Sequence, residues 1–200
     1  MRKIAGTFKE RKGFTLIELA IVLIIIGLIL GMVFKAKHLI DGAKVKHLGA
    51  QYNKILAAIN TFYDRYGRYP GDGCNDATCS NNGAGTKDGV LTTAAEEAAF
   101  WYELIDKTGI LTRNDRRSVF GQNWNIWYGT GNDGVTGDWL DLPGGNQADS
   151  RFVCALDQLI DDGRADGGVV QPYNAPNLYD ENSDCWALTG LCNVIIRVIP

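Results

Sequence analysis

From position 14 the chain becomes almost wholly apolar and stays so to position 34, a run of 21 residues. Leu, Ile and Val dominate it, Gly27 and Gly31 interrupt it, and Glu18 is its one charged residue. A helix of that length reaches about 31 Å at about 1.5 Å per residue, close to the hydrocarbon thickness of a bilayer. No A-x-A-like cleavage site follows, and the run is longer than the apolar core of a secretory signal, so the segment is expected to stay on the mature protein. Beyond it the pattern changes from continuous to periodic. Leu48, Tyr52, Ile55, Ile59, Phe62 and Tyr66 recur at alternating steps of four and three, one apolar stripe of a helix that packs against a sheet. Gly67 and Pro70 end it. The pattern thus predicts one helix of roughly 50 residues, about 75 Å long.

After that helix the elements become short. Residues 71–89 are rich in Gly, Asn and Asp and read as a loop. Residues 92–106 read as a second helix, with Thr92 or Thr93 as the cap, Glu96 and Glu97 in the first turn, and Phe100, Trp101, Leu104 and Ile105 as the apolar face. Residues 125–128 and 139–142 read as strands around a glycine-rich turn, 149–159 as a short helix and 191–199 as one β-branched strand.

The formal net charge of −3 hides an asymmetry. Residues 1–69 carry 12 Lys/Arg and 4 Asp/Glu, net +8; residues 70–200 carry 8 and 19, net −11. An acidic head argues against nucleic acid as its partner, and Arg113, Arg116 and Arg117 read as a solvated cluster rather than a DNA site. Basic residues flank the apolar run on both sides: Arg2, Lys3, Lys9, Arg11 and Lys12 before it, Lys35, Lys37, Lys44 and Lys46 after it. The positive-inside rule is therefore nearly balanced. All five cysteines lie in the head, which fits an oxidising compartment. Cys74–Cys79 and Cys185–Cys192 are the natural short loops, with Cys154 left as a buried thiol, although spacing alone does not fix connectivity.

Glu18 has two readings. It is either a carboxylate snorkelling to the headgroups or one that meets a cation inside a protein assembly. The surrounding residues bear on that choice. A basic leader, then Gly13-Phe14-Thr15-Leu16-Ile17-Glu18, then the apolar run, resembles the processing segment of type IV prepilins and type II secretion pseudopilins. The resemblance covers about residues 12–30. It implies that a prepilin peptidase cuts after Gly13, that the new N-terminal Phe14 is N-methylated, and that Glu18 serves subunit assembly. Cleavage creates an α-amine on Phe14 that a neighbour's Glu18 can pair with. The chain departs from many major pilins in having no proline before Pro70, with Lys35 where the helix would unwind. Gly27 and Gly31 are either weak spots or a close-packing face, and packing is the favoured reading. In the head, Tyr69-Pro70-Gly71-Asp72, Lys87-Asp88-Gly89, residues 100–104 with 109–111, and residues 157–163 resemble one group of prepilin-type proteins in order.

The resemblance implies an α+β, pilin-like fold. Residues 1–13 are a cleaved leader, 14–34 the membrane and filament-core helix, 35–66 its extracytoplasmic continuation and 67–200 a head built on a small antiparallel sheet. It further implies an inner-membrane protein with the head in the periplasm, then an extracytoplasmic filament. Its partners would be other pilin subunits, the prepilin peptidase, an inner-membrane assembly platform and membrane lipid. For cofactors there is one candidate. Asp161, Asp162 and Asp166, with Asp157 one turn earlier, supply carboxylates in a glycine-bearing turn that suits Ca²⁺ but lacks EF-hand spacing. Asn132, Asp133, Gly134 and Asp138 form a weaker candidate loop. An enzyme is not expected: His38 and His47, the only histidines, lie on the long helix, which removes Ser-His, Cys-His and His-zinc sites from the head. Two other readings remain open. One is a membrane-anchored binding module that stacks glycans on Trp101, Trp124, Trp127, Trp139 or Trp186. The other is an anchored hydrolase using head carboxylates.

Overall fold

A computed structural model describes residues 13–199, save the side chain of Phe34. Of the leader expected at residues 1–13, all but Gly13 lies outside the described residues. The molecule divides into two units, one ending at Asp41 and one starting at Gly42.

The first unit holds the start of α1, Leu16–Tyr66, which is helical without interruption through Gly27 and Gly31. None of the membrane-length apolar window is buried. A Cβ built on either glycine meets nothing within 4 Å, so the fold itself makes no use of their small size.

In the second unit the stripe on α1 works largely as the spacing predicts. Leu48, Ile55, Ile59 and Phe62 are buried in the main core. Tyr52 is half-buried and its hydroxyl donates to the Arg197 carbonyl at 3.2 Å. Tyr66 departs from the expectation: it is exposed, its ring 4.4 Å from that of Phe62. Tyr66 is the last residue of the helix, and Gly67 with φ 65° turns the chain away directly after it.

The sheet against α1 is antiparallel throughout. It comprises β1 (Asn125–Thr130), β2 (Thr136–Asp141), β4 (Val170–Pro172) and β6 (Val194–Ile199), in the order β1-β2-β6-β4. Trp139, Leu140, Val170, Ile195 and Ile196 are fully or nearly fully buried. The single final strand expected over residues 191–199 is two. β5 (Leu191–Cys192) pairs with β3 (Ala148–Asp149), and the chain steps at Asn193, whose carbonyl accepts from Tyr173 N at 2.7 Å, before β6 enters the main sheet.

Helix α2 (Ala94–Tyr102) starts from a capping box in which Thr93 and Glu96 satisfy each other's backbone amides. It runs into one π-helical turn, Glu103–Lys107. That turn presents Glu103, which is fully buried, to Arg68 just past the end of α1. The guanidinium meets the carboxylate through two bonds of 2.7 and 2.6 Å. Gly71 N and Lys107 Nζ, both at 2.9 Å, complete the carboxylate's partners. Burial pushes the Glu103 pKa up, but these donors outweigh it and hold the group below the usual range. A buried charge pair is tolerable only when its spare valences are filled in this way.

The disulfides require one correction. Cys74–Cys79 forms as the short spacing suggested. Cys185 does not pair with Cys192; it pairs with Cys154, which is therefore no free thiol. The reason is packing. Helix α3 (Ser150–Ile160) is covered by the short 3-10 turn Cys185–Ala187, bringing the two Cα atoms to 5.5 Å. Cys192 is carried away on β5 and remains a buried thiol, its pKa pushed up to about 12 by burial and by Asp149.

Candidate functional site

The segment before α1 is where a chemical event can reach the chain. Gly13, Phe14 and Thr15 are non-helical and exposed, Phe14 at 82%. A Cβ on Gly13 meets nothing within 4 Å. The Gly13–Phe14 bond is thus open backbone directly ahead of a helix, the form in which a protease can bind extended chain.

Thr15 and Glu18 then form a reciprocal box. The Thr15 backbone N–H and hydroxyl both donate to Glu18 Oε2 at 2.8 Å. The Glu18 amide donates back to Thr15 Oγ1 at 3.3 Å. This is the Ser/Thr-x-x-Glu capping arrangement, which satisfies orphan amides at a helix start and places a negative charge at the positive end of the helix dipole. Reading the sequence for Glu18 alone missed Thr15, although the three-residue offset was there to find. Both of these bonds land on Oε2, so Oε1 can take a further donor. The sequence expected Gly13, Phe14 and Glu18 to act together; the structure places all three within one turn of the same helix start.

The acidic turn behaves differently from its expectation. Asp157, Asp161 and Asp162 can bring oxygens within 4.8 Å of one another, but Asp166 is not among them. It is drawn off by Arg164, which donates to it through Nε at 3.1 Å and Nη2 at 3.0 Å. The other three carboxylates already accept from this fold's own donors. Asp157 takes the Tyr179 hydroxyl at 2.9 Å and Gly163 N at 3.0 Å. Asp161 takes Val169 N and Val170 N, and Asp162 takes Arg164 N at 3.0 Å. The turn is therefore held by backbone hydrogen bonds. Burial still pushes the Asp157 pKa up to about 7, despite the two donors.

The second candidate loop does not assemble. Asn132 donates to the carbonyls of Ala165 and Pro172, both at 2.9 Å, and Asp133 accepts from Val135 N at 3.0 Å within the β1–β2 turn. Asp138 lies buried on β2 and accepts from Leu91 N instead.

The aromatic residues are mostly structural. Trp101, Trp124 and Trp139 are buried, Trp127 is half-buried and packs edge-on to Tyr173, and Trp186 is the most exposed of the five, at 40%. Of the small arginine cluster, Arg113 pairs with Asp106 at 2.9 Å, and Arg116 donates to the Trp124 carbonyl and lies over the Trp101 ring.

Comparison with known proteins bears on the first of these places. The family model of the prokaryotic N-terminal methylation motif matches residues 8–34, which spans Gly13, Phe14, Glu18 and the whole apolar run. No curated protein and no solved structure matches the chain. The chain therefore carries the prepilin-type cleavage and methylation signal, and that signal together with the apolar helix marks a single-pass membrane anchor.

Proposed function

We propose that this chain is a structural subunit of a type IV pilus or of a type II secretion pseudopilus, cut after Gly13 by a prepilin peptidase and methylated on Phe14. One observation carries the reading. Inside the methylation motif, the Gly13–Phe14 bond is exposed and the adjoining helix start holds Glu18 in a box with Thr15.

The mechanism follows from charge. Cleavage leaves an α-amine on Phe14 at the positive end of a helix dipole, where a cation is disfavoured. A neighbouring subunit's Glu18 relieves this, with Oε1 accepting while Oε2 keeps the cap. In a low-dielectric helical bundle an unpaired amine or carboxylate is heavily penalised, so the pair selects one axial register. The apolar helix is surrounded by apolar groups in both lipid and filament, which makes the difference between the two states a matter of packing and of this pair. Gly27 and Gly31, with open space at each Cβ, suit close approach of neighbouring helices.

The head's role in this reading is structural rather than catalytic. Both histidines lie on α1, and the carboxylates of the acidic turn are engaged by backbone amides. Two disulfides support a head in an oxidising compartment, outside the inner membrane. The test is Glu18→Ala in the native host. Processing at Gly13 should proceed as in the unaltered chain, and recovery in sheared filaments or assembled pseudopili should fall at least about tenfold, the equivalent of about 1.4 kcal/mol. Unchanged incorporation removes the pairing mechanism.

A further inference from the structure

Between α2, the 3-10 turn Arg113–Arg116 and the start of β1 lie two adjoining clefts of about 330 and about 260 Å³. They share Trp101 and Arg116, while Asn123 lines the larger and Asn125 the smaller. Arg116 is held firmly between them. Its Nε donates to the Trp124 carbonyl at 2.8 Å and its Nη2 to Asn125 Oδ1 at 3.1 Å. Its guanidinium carbon lies 5.0 Å from the centre of the Trp101 ring. Both N–H groups of Nη1 are left without an acceptor among the described residues.

The charge of this guanidinium is unmatched as well. Arg68, Arg113, Arg151 and Arg164 each hold a carboxylate of the fold. Arg116, half-buried, forms no ion pair among the described residues. Asp106, on the wall of the larger cleft, is engaged by Arg113 at 2.9 Å, and Glu97, on the wall of the smaller, faces the backbone of Tyr128. Burial therefore lowers the Arg116 pKa with no anion to oppose it. Trp101 adds a second unmet donor: the residue is 3% exposed, and its Nε1 is buried without an acceptor. A buried N–H in that state is costly and calls for a water or a ligand oxygen. Guanidinium and indole N–H groups only donate, so what the place lacks is an acceptor, and the unmatched charge asks for an anionic one.

We propose that this cleft binds one carboxylate group, held on the Nη1 side of Arg116 with Trp101 and the exposed Asn123 as neutral donors beside it. A carboxylate is planar and singly charged, which matches one guanidinium edge. A dianion such as phosphate is opposed by Asp106 and Glu97 in the walls and by the net charge of the head. The carboxylate comes either from a free organic acid or from an acidic side chain of a second copy of this chain, whose residues 70–200 carry 19 Asp/Glu.

The probe is acetate, titrated against chloride at matched ionic strength into the isotope-labelled full-length chain in detergent. The readout is the Arg Nε–H and Trp Nε1–H resonances, that of Arg116 being the one lost in Arg116→Gln. Saturable movement of the Arg116 and Trp101 resonances is expected below about 10 mM acetate, and none with chloride. Asn123→Asp sets a like charge on the exposed rim without touching the core and should weaken acetate binding at least about tenfold. Arg116→Gln should abolish it, and Arg164→Gln, on an arginine engaged by Asp166 elsewhere, should leave it unchanged. Dilution without acetate separates the two sources. If the same resonances move as the chain is diluted, a second copy supplies the carboxylate; if they respond to acetate alone, a free acid does, and either result upholds the site. The proposal falls if neither acetate nor dilution moves them, if chloride moves them equally, or if Asn123→Asp binds acetate as the unaltered chain does.

Discussion

The chain uses the same four-residue device twice, Thr15-x-x-Glu18 and Thr93-x-x-Glu96, in opposite settings. In both, the threonine hydroxyl accepts the glutamate amide and the glutamate accepts the threonine amide. Glu96 is buried, and its other oxygen is taken by Gly73 N at 3.0 Å, tying α2 to the loop after α1. Glu18 is exposed, and its neighbours from Leu16 to Val33 are exposed as well. The comparison teaches where each region's partners are. The head from Gly42 onward pairs most of its buried polar groups internally, down to a buried Arg68–Glu103 pair, with Asp72 Oδ1, Trp101 Nε1, Asp141 Oδ1 and Asn193 Oδ1 as exceptions. Up to Asp41 the described residues leave their apolar surface exposed and make no internal use of the small size of Gly27 and Gly31, while Glu18 caps its own helix with one oxygen and leaves the other open.

Breaking the head alone is the strongest way to separate the regions. Arg68→Ala strands Glu103 in the core with only Lys107 as a charged partner. It should cost about 3–5 kcal/mol and lower the Tm of the head by about 10 °C or more, read by near-UV circular dichroism. Membrane extraction and cleavage should be unaffected.

Removing the Cys154–Cys185 bridge, as the double Ser variant, should cost about 3 kcal/mol by the same measurement. Cys192→Ser should cost less, because it breaks no covalent link. If Cys192→Ser proves the more damaging, the pairing described above is wrong.

The acidic groups add a pH dependence confined to the head. Burial raises Asp138 and Asp157 to about 7 and Asp141 to about 6, all from an ordinary 3.8. Raised carboxylates bind protons more tightly folded than unfolded. Their stabilisation is complete below the unfolded pKa and is lost as pH rises through the folded values. In chelator, the head's Tm should therefore fall by about 5 °C from about pH 5 to about pH 8, measured by thermal denaturation. Glu103 does not oppose this, because its lowered pKa keeps it ionised across the window.

The smallest effect is the most pointed. Glu96→Ala removes a cap and the Gly73 bond and should destabilise the head by about 1–2 kcal/mol. Glu18→Ala removes the same cap from exposed helix and should leave the head's Tm within about 1 °C, as thermal scans of the two variants side by side will show.

Much of this was legible in the sequence. The end of α1 followed from Gly67 and Pro70, the start of α2 from a threonine at 92 or 93 ahead of Glu96 and Glu97, and β1 and β2 from residues flanking a glycine-rich turn. What was not legible depends on distant partners. β4 has three residues and exists through its pairing with β6. The partner of Cys154 lies 31 residues away and is set by a 3-10 turn docking on α3. The break at Asn193 answers to Tyr173. In the acidic turn the error was local: the spacing that collected Asp166 with Asp161 and Asp162 ignored Arg164, two residues before it.

The central claim is that the exposed Gly13–Phe14 bond is a processing site and that Phe14 begins the mature chain. Intact mass with N-terminal sequencing of the protein from its native membranes tests it directly. The account predicts a chain that starts at Phe14 and is heavier there by one methyl group. A chain still starting at Met1 contradicts it and leaves Glu18 as a helix cap on an anchored protein.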